Sequence, residues 1–399
     1  MPQHVPPSPP LAPPPPSPLP APPSSGPPPL PRRIVFLARR DLGNAAAGGS
    51  ELLVDRIAEG LTAHGHEVTL LCGGPASPKL SAPLEQGGAP IRNYRVVSAG
   101  GDAGHFLRAP RQLARRVGAC DLLVEVCNGM PYLAPLWHRG PTLCLVNHVH
   151  TDLWRMRYPG PAARLGRRLE HWALAGTHRR NLMVAVSDST ASALHGLGVD
   201  PDRIRLVHNG VEEPGPLVPK APEPLFLAMG RLVEYKRIDL LLRLWERVRP
   251  VTGGRIVIVG DGPERARLTA MAGPDVTFTG HISEQRKHQL LCSAWVLLHP
   301  SLVEGWGLVV MEAAARRTPA VGFDIPGLRD SVEDGVTGLL ARGESAFAAH
   351  WCTLALSGRR RDALAAAAAE RAARFRWSHT VRSFRAVAAE AFVNTLRRR

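Results

Sequence analysis

The residues best suited to chemistry fall in one stretch, His299-Pro300-Ser301-Leu302-Val303-Glu304-Gly305-Trp306-Gly307-Leu308-Val309-Val310-Met311-Glu312. Glu304 and Glu312 stand eight residues apart, one in a glycine-bearing turn and one in the segment after it. Carboxylates accept hydrogen bonds from hydroxyls. Gly305 and Gly307 carry no Cβ, so a phosphate can approach the backbone, and the first N–H groups of a helix would face it. The pairing suggests a ligand that is both phosphorylated and polyhydroxylated. Gly230-Arg231-Leu232-Val233-Glu234-Tyr235-Lys236 adds two cations. An arginine clamps oxygens bidentately and a lysine acts as a mobile point charge, which suits a pyrophosphate. Asn147-His148-Val149-His150 offers a histidine to bond a sugar hydroxyl or titrate near neutrality. His148 is favoured for its closeness to the strand end. Gly48-Gly49-Ser50-Glu51 is no G-x-G-x-x-G fingerprint, but two glycines before a helix still suit contact with phosphate or acceptor.

These residues need elements to hold them. The apolar run Ala294 to Leu298 reads as a buried strand entering the key stretch, and Leu308 to Arg316 as the helix leaving it. Ile34 to Ala38 reads as a first strand, followed by a helix with Leu53, Ile57 and Leu61 on one face and Ser50 as its cap. Val68 to Cys72, Leu122 to Val126, Leu143 to Val146, Leu182 to Val186 and Ile204 to His208 continue the series. Proline-rich Glu213 to Pro224 reads as a linker. The alternation restarts with strands Leu225 to Met229, Ile256 to Val259, Val276 to Phe278 and Ala320 to Phe323, and helices Asp239 to Val248, Glu264 to Met271 and Glu284 to Leu291. From Glu344 the chain looks helical to its end. The fold class expected is α/β, two Rossmann-like doubly wound domains facing across a cleft, with ligands beyond the carboxyl ends of the strands.

Composition narrows the classes. The 399 residues suffice for two domains, and no apolar run approaches the roughly 18 needed to span a bilayer. The net charge of +15 is nearly all arginine, for which a GC-rich genome and attraction to anionic partners are both adequate accounts. Six cysteines without a C-x-x-C pair fit reduced, buried thiols in a cytosolic protein. Met1 to Pro31 holds close to half of the 39 prolines and no charged side chain, so it is expected to be disordered, a passive tail or a misplaced start. Asp200-Pro201-Asp202 has the D-x-D form of a metal-bound diphosphate site, yet stands where a turn expects those residues anyway. Gly260-Asp261-Gly262 is too short for a phosphate fingerprint, and no G-x-S-x-G elbow supports a hydrolase.

Taken together, Gly230-Arg231 with Lys236, Gly280-His281-Ile282, and Pro300-Ser301 with the Glu304/Glu312 pair resemble the retaining glycosyltransferases of family 4 (glycosyl transferases group 1). So do Val186-Ser187, His208-Asn209-Gly210-Val211, Asn147-His148-Val149-His150 and Pro326-Gly327-Leu328-Arg329-Asp330. The resemblance runs from about Arg33 to the last helix and implies a GT-B fold. Its segments would be a tail (1–31), an acceptor domain (32–216), a nucleotide-sugar domain (217–376) and a last helix crossing back (377–399). By the same resemblance, Arg231 and Lys236 would contact the diphosphate and Glu312 the ribose. Glu304 and His148 would lie by the sugar, with backbone at Gly305, Trp306, Gly307 and Leu308 offered to the donor's sugar or phosphate. Ile282 would meet the base, and Gly49 the diphosphate or acceptor. The sequence departs from the commonest pattern at Trp306, where phenylalanine is frequent, and at Asn147, where some relatives have histidine.

The activity implied is retaining transfer of a hexosyl unit from a UDP- or GDP-linked sugar to a hydroxyl acceptor (a lipid-linked or envelope glycan, or a small metabolite), with no metal and no other cofactor. Same-face attack is expected ahead of a Glu304 nucleophile of the glycosidase kind. A sugar phosphorylase or hydrolase is the enzymatic alternative, and a basic nucleic-acid-binding protein the alternative from charge. No nucleic acid is expected as a partner, because the arginines are dispersed and no aromatic-basic platform appears. Phe106 to Val117 and Arg155 to Arg180 mix arginine with apolar residues. They suit either a solvated basic helix face or peripheral contact with an anionic membrane, at the inner face of the plasma membrane for a cytoplasmic protein.

Overall fold

The computed structural model describes residues 30–44, 46–74, 92–101, 104–129 and 131–398, without the side chains of Asp152 and Arg157. The expectation for Met1 to Pro31 therefore falls, but for Leu30 and Pro31, outside the described residues. Seven strands make the first sheet: β1 (Arg33–Ala38), β2 (Glu67–Cys72), β3 (Arg95–Ser98), β4 (Leu122–Cys127), β5 (Thr142–Val146), β6 (Leu182–Ala185) and β7 (Ile204–Leu206). They pair in the order β3-β2-β1-β4-β5-β6-β7, all parallel. Six make the second: β8 (Leu225–Met229), β9 (Arg255–Val259), β10 (Val276–Gly280), β11 (Val296–His299), β12 (Ala320–Phe323) and β13 (Gly338–Ala341). Their order is β10-β9-β8-β11-β12-β13, again parallel. Both orders reverse beside the first strand of their sheet. That reversal leaves a crevice at the strands' carboxyl ends, between β1 and β4 and between β8 and β11.

The central strands are apolar along most of their length because helices cover both faces of each sheet. On helix Gly49–Ala63, Leu53, Ile57 and Leu61 are fully buried, the face that their spacing predicts. Ser50 is not its cap. The helix starts at Gly49, and Glu51 accepts the Gly48 N–H at 2.8 Å. Ser50 Oγ instead accepts from Asn147 Nδ2 at 2.9 Å, joining the first turn of this helix to the loop after β5 at the sheet's ligand edge.

Several expected bounds move. β7 ends at Leu206, and His208 leaves the ladder to bond the Val186 carbonyl through Nδ1 at 3.2 Å. β11 begins at Val296 rather than Ala294. The tail is three helices, Glu344–Leu356, Gly358–Ala372 and Trp377–Leu396, interrupted at Ser357 and at 373–376. Gly358–Ala372 packs on helix Leu308–Ala315. Trp377–Leu396 lies on Gly49–Ala63, with Phe384 stacked on Phe36 at 5.7 Å. All six cysteines are free, and burial pushes the Cys72 thiol up to about 12. Asp200 accepts the Asp202 N–H at 3.0 Å in a one-turn helix, the turn role foreseen for this D-x-D.

Candidate functional site

β8 and β11 deliver the charged residues. After Met229 the chain turns at Gly230 (φ 151°), which needs glycine, and buried Leu232 anchors the loop. A one-turn helix, Glu234–Lys236, then aims Lys236 at the end of β11. There Lys236 Nζ donates to Glu304 Oε1, and His299 Nε2–H donates to the same oxygen at 2.7 Å. Burial by itself would raise the Glu304 carboxyl; Lys236 and His299 outweigh it and hold the group well below the usual carboxylate range. Arg231 Nη2 donates to the Tyr235 hydroxyl at 3.2 Å. Gly230, Arg231, Lys236, His299, Pro300 and Ser301 line a small cavity, and Ser301 Oγ is buried with no hydrogen-bond partner.

The turn after Glu304 is squeezed between the two domains. A Cβ at Gly305 would overlap the Asn147 carbonyl oxygen, and one at Gly327 would overlap the Glu304 carbonyl. Gly307 (φ 77°) starts helix Leu308–Ala315, and a side chain there would crowd Leu328 and Ser331. Gly49 faces Leu308 across the cleft, 3.6 Å from its would-be Cβ to Leu308 Cδ2. Trp306 contributes no side chain to the cleft. Its indole is buried against His208 (centroids 4.8 Å apart) and Phe375 (5.0 Å). Only its backbone remains available to a ligand.

His148 comes from the first domain to meet this cluster. Its ring packs edge-on to His150 at 4.2 Å, and its Nε2 is buried without a partner. Burial pushes the imidazole down to about 4; Glu304 opposes the shift and Lys236 adds to it. Of the two uses expected of His148, titration near neutrality is disfavoured, because desolvation disfavours the cation, and bonding a sugar hydroxyl is left. Behind it, Glu170 Oε1 accepts the His150 N–H at 2.7 Å and Oε2 accepts Trp154 Nε1–H at 3.1 Å.

Glu312 keeps separate company. Lys287 Nζ donates to its Oε1 at 2.6 Å, while Arg316 Nη1 bonds its carbonyl at 3.0 Å. Burial works to lower the Lys287 ammonium, but Glu312 and Glu284 raise it overall. Ile282 sits half-buried just past β10, before helix Glu284–Ser293, whose cap Ser283 accepts the Arg286 N–H at 3.2 Å. So Arg231, Lys236, Glu304, His148 and the Gly305 turn gather at one point, whereas Glu312 has a cation of its own.

Two family models match the chain, Glycosyltransferase Family 4 over residues 47–213 and Glycosyl transferases group 1 over 223–356. A D-inositol 3-phosphate glycosyltransferase of Nocardia farcinica is 32% identical over 393 residues, covering 85% of this chain and 84% of the relative. The chain belongs to glycosyltransferase family 4. A relative of the same name from Rhodococcus erythropolis is 32% identical over 278 residues, and one from Mycobacterium avium 33% over 230. The chain spans only 60% and 52% of the length of those two family 4 members.

Among solved structures, sucrose-phosphate synthase from Thermosynechococcus elongatus superposes with a TM-score of 0.72 at 20% identity, covering 92% of this chain and 98% of that one. Anabaena HepE in complex with UDP and glucose gives 0.68 at 18%, covering 88% and 98%. The family 4 chain thus has the GT-B fold expected of it. Three contributors to the family 4 cleft escaped the sequence reading. His299 heads the key stretch but was given no role, though a histidine at a strand's carboxyl end is the signal that singled out His148. Lys287 had rarity as its clue, being one of four lysines. Glu170 is the one acid between Leu153 and Arg180, and only the fold shows that it holds His150.

Proposed function

We propose that this family 4 member is a retaining hexosyltransferase using a nucleotide-diphosphate sugar, UDP- or GDP-linked, and a hydroxyl acceptor. The observation that carries the proposal is Glu304 held ionised between Lys236 and His299, with Arg231 beside it and neutral His148 facing it from the other domain. As the glycosidic bond breaks, negative charge grows on the departing diphosphate. Arg231, Lys236 and the helix start at Gly307 would meet that charge, and fixed charges of this kind dominate many catalytic rate gains. They do for the leaving group what a metal would, so the reaction is proposed to need none. Glu304 is a poor nucleophile when two partners share its oxygen and its basicity is depressed. It suits a hydroxyl of the transferred sugar better, and this favours same-face attack by the acceptor. Glu312, ordered by Lys287, is assigned the ribose hydroxyls; Ile282 is assigned the base and Gly49 the diphosphate or acceptor. The protein would act in the cytoplasm, in peripheral contact with the inner face of the plasma membrane.

The test is a screen of UDP-, GDP- and ADP-sugars for binding and nucleotide release. UDP-glucose is tried first, after the neighbour solved with UDP and glucose, and D-inositol 3-phosphate is included among the acceptors tried, after the relatives' names. Lys236→Ala and Glu312→Ala should each cut turnover of the best donor at least about a hundredfold, the scale for removing a group aimed at transition-state charge or substrate position. Full activity in both variants would overturn the site. Release of free sugar or sugar phosphate in place of a glycoside would point to hydrolysis or phosphorolysis.

A further inference from the structure

One helix of the first domain leaves a face uncovered by any described residue. Helix Gly160–His171, continued by Trp172–Thr177, buries Ala163, Gly166, Glu170, Ala173 and Leu174. Gly166 lies against the Trp154 ring, where a Cβ would overlap it. The opposite face carries Leu165, Leu169 and Trp172 at i, i+4 and i+7, with 59%, 41% and 47% of their surface exposed. Met156 and Tyr158, just before the helix, are 45% and 43% exposed. Apolar side chains scattered singly are ordinary on a surface, but a row of them at helical spacing is not. Arg164 and Arg168 form an exposed second row next to it. From Leu153 to Arg180 the sequence has seven arginines and one acid, the buried Glu170. The other basic stretch differs. In His105–Gln112 and Leu113–Val117, Ala109 and Leu113 are buried and Leu107 stands out alone, so that segment spends its apolar residues on the core.

We propose that the Leu165–Leu169–Trp172 face docks on an anionic lipid bilayer. The apolar row would enter the headgroup boundary, with Trp172 at the depth that tryptophan favours, and Arg164 and Arg168 would meet lipid phosphates. A nucleic acid would use the arginines but leave the leucines in water, which makes the bilayer the better match. The helix is also tied to the cleft. Its inward Glu170 holds the Trp154 indole and the N–H of His150, which is two residues along the chain from His148. Docking therefore sets the His148 loop at the membrane, where a lipid-borne acceptor could enter. The docking surface rests on its own observations; only this acceptor role rests on the transferase reading.

Sedimentation of the full chain with vesicles tests the surface. Binding is expected to vesicles of phosphatidylcholine mixed with phosphatidylglycerol at low salt, to weaken as salt rises, and to be minimal on phosphatidylcholine alone. The triple variant Leu165→Ser/Leu169→Ser/Trp172→Ser should partition at least about tenfold more weakly. Arg164→Gln/Arg168→Gln should lose about tenfold on anionic vesicles. Both should keep the wild-type Tm and the wild-type binding of nucleotide in solution. A wild-type chain that stays in the supernatant at low salt overturns the proposal, as does a triple variant that pellets like wild type. So does a dimer that the triple variant dissociates while vesicles bind neither protein, because the face would then serve a second copy. Vesicle binding without nucleotide release from any sugar would leave the docking surface standing and sink the transferase reading alone.

Discussion

At Glu304 one carboxylate oxygen takes hydrogen bonds from both Lys236 and His299, and neutral His148 stands opposite in the first domain. Charge-assisted bonds of this kind contribute about 1.5–3 kcal/mol each. His299→Ala should therefore lower kcat/KM about tenfold or more and move the acid limb of its pH profile upward, since Glu304 would lose one of the partners that keep it ionised. His148, with its pKa pushed down to about 4, is neutral throughout the range in which most transferases are assayed. It should give no limb between pH 5 and 8, and a limb near 6.5 that disappears in His148→Asn would show that the ring is protonated after all. Arg231, Lys236 and Glu304 were legible in the sequence because cations and acids sit at loop positions after apolar runs. Which cation meets which acid was not legible, because the assignment depends on how β8 and β11 are staggered. The separate Lys287–Glu312 pair shows this, joining a helix of one βα unit to that of the next at 2.6 Å.

Strands in this chain were easy to place wherever they are buried on both sides, since β8 and β12 are uninterrupted apolar runs with the bounds their sequences suggest. β3 (RVVS) and β13 (GLLA) went unforeseen; both are edge strands, and each is lined up by the ladder of its single neighbour. The site-bearing loops were the hardest elements to foresee. The Asn147–His150 loop is held by Ser50 from one helix, Thr190 from another and Glu170 from a third. Glu170 also gives this element its pH dependence. Burial raises its carboxyl to about 7, opposed by the His150 and Trp154 N–H bonds. A folded-state pKa above the unfolded value means the folded protein holds the proton more tightly. This contribution to stability is fully present below about pH 4.3, falls as pH rises, and is gone above about 7. Glu170→Gln, which cannot ionise, should flatten that part of the Tm profile between pH 5 and 7. A profile as steep as wild type would mean that Glu170 is ionised throughout.

Each domain has its own sheet and buried clusters of its own, but one further cluster runs through both. Trp306, Met311 and Ala314 of the second domain belong to the same buried cluster as Phe36, Leu53 and Ile57 of the first, together with Ala368, Ala372 and Phe384 from the last two helices. Helix Trp377–Leu396 closes this arrangement over the first domain, and Asp330 Oδ2 adds a polar tie by accepting the Ser189 N–H at 3.0 Å. Linked domains with thin polar interfaces commonly unfold in steps. A shared apolar cluster should instead couple them, because opening the first domain exposes Trp306 and Met311 and so weakens the base of the donor loop. Phe384 is the place to test this, being fully buried, stacked on Phe36 and far along the chain from every proposed site residue. Phe384→Ala should cost about 3–5 kcal/mol, the range for emptying a buried phenylalanine site. The loss should appear in a single calorimetric transition, with the protection that bound nucleotide gives melting at the same lowered temperature. Two resolved transitions, only one of them shifted, would mean that the second domain stands by itself and that the shared cluster transmits nothing to the cleft.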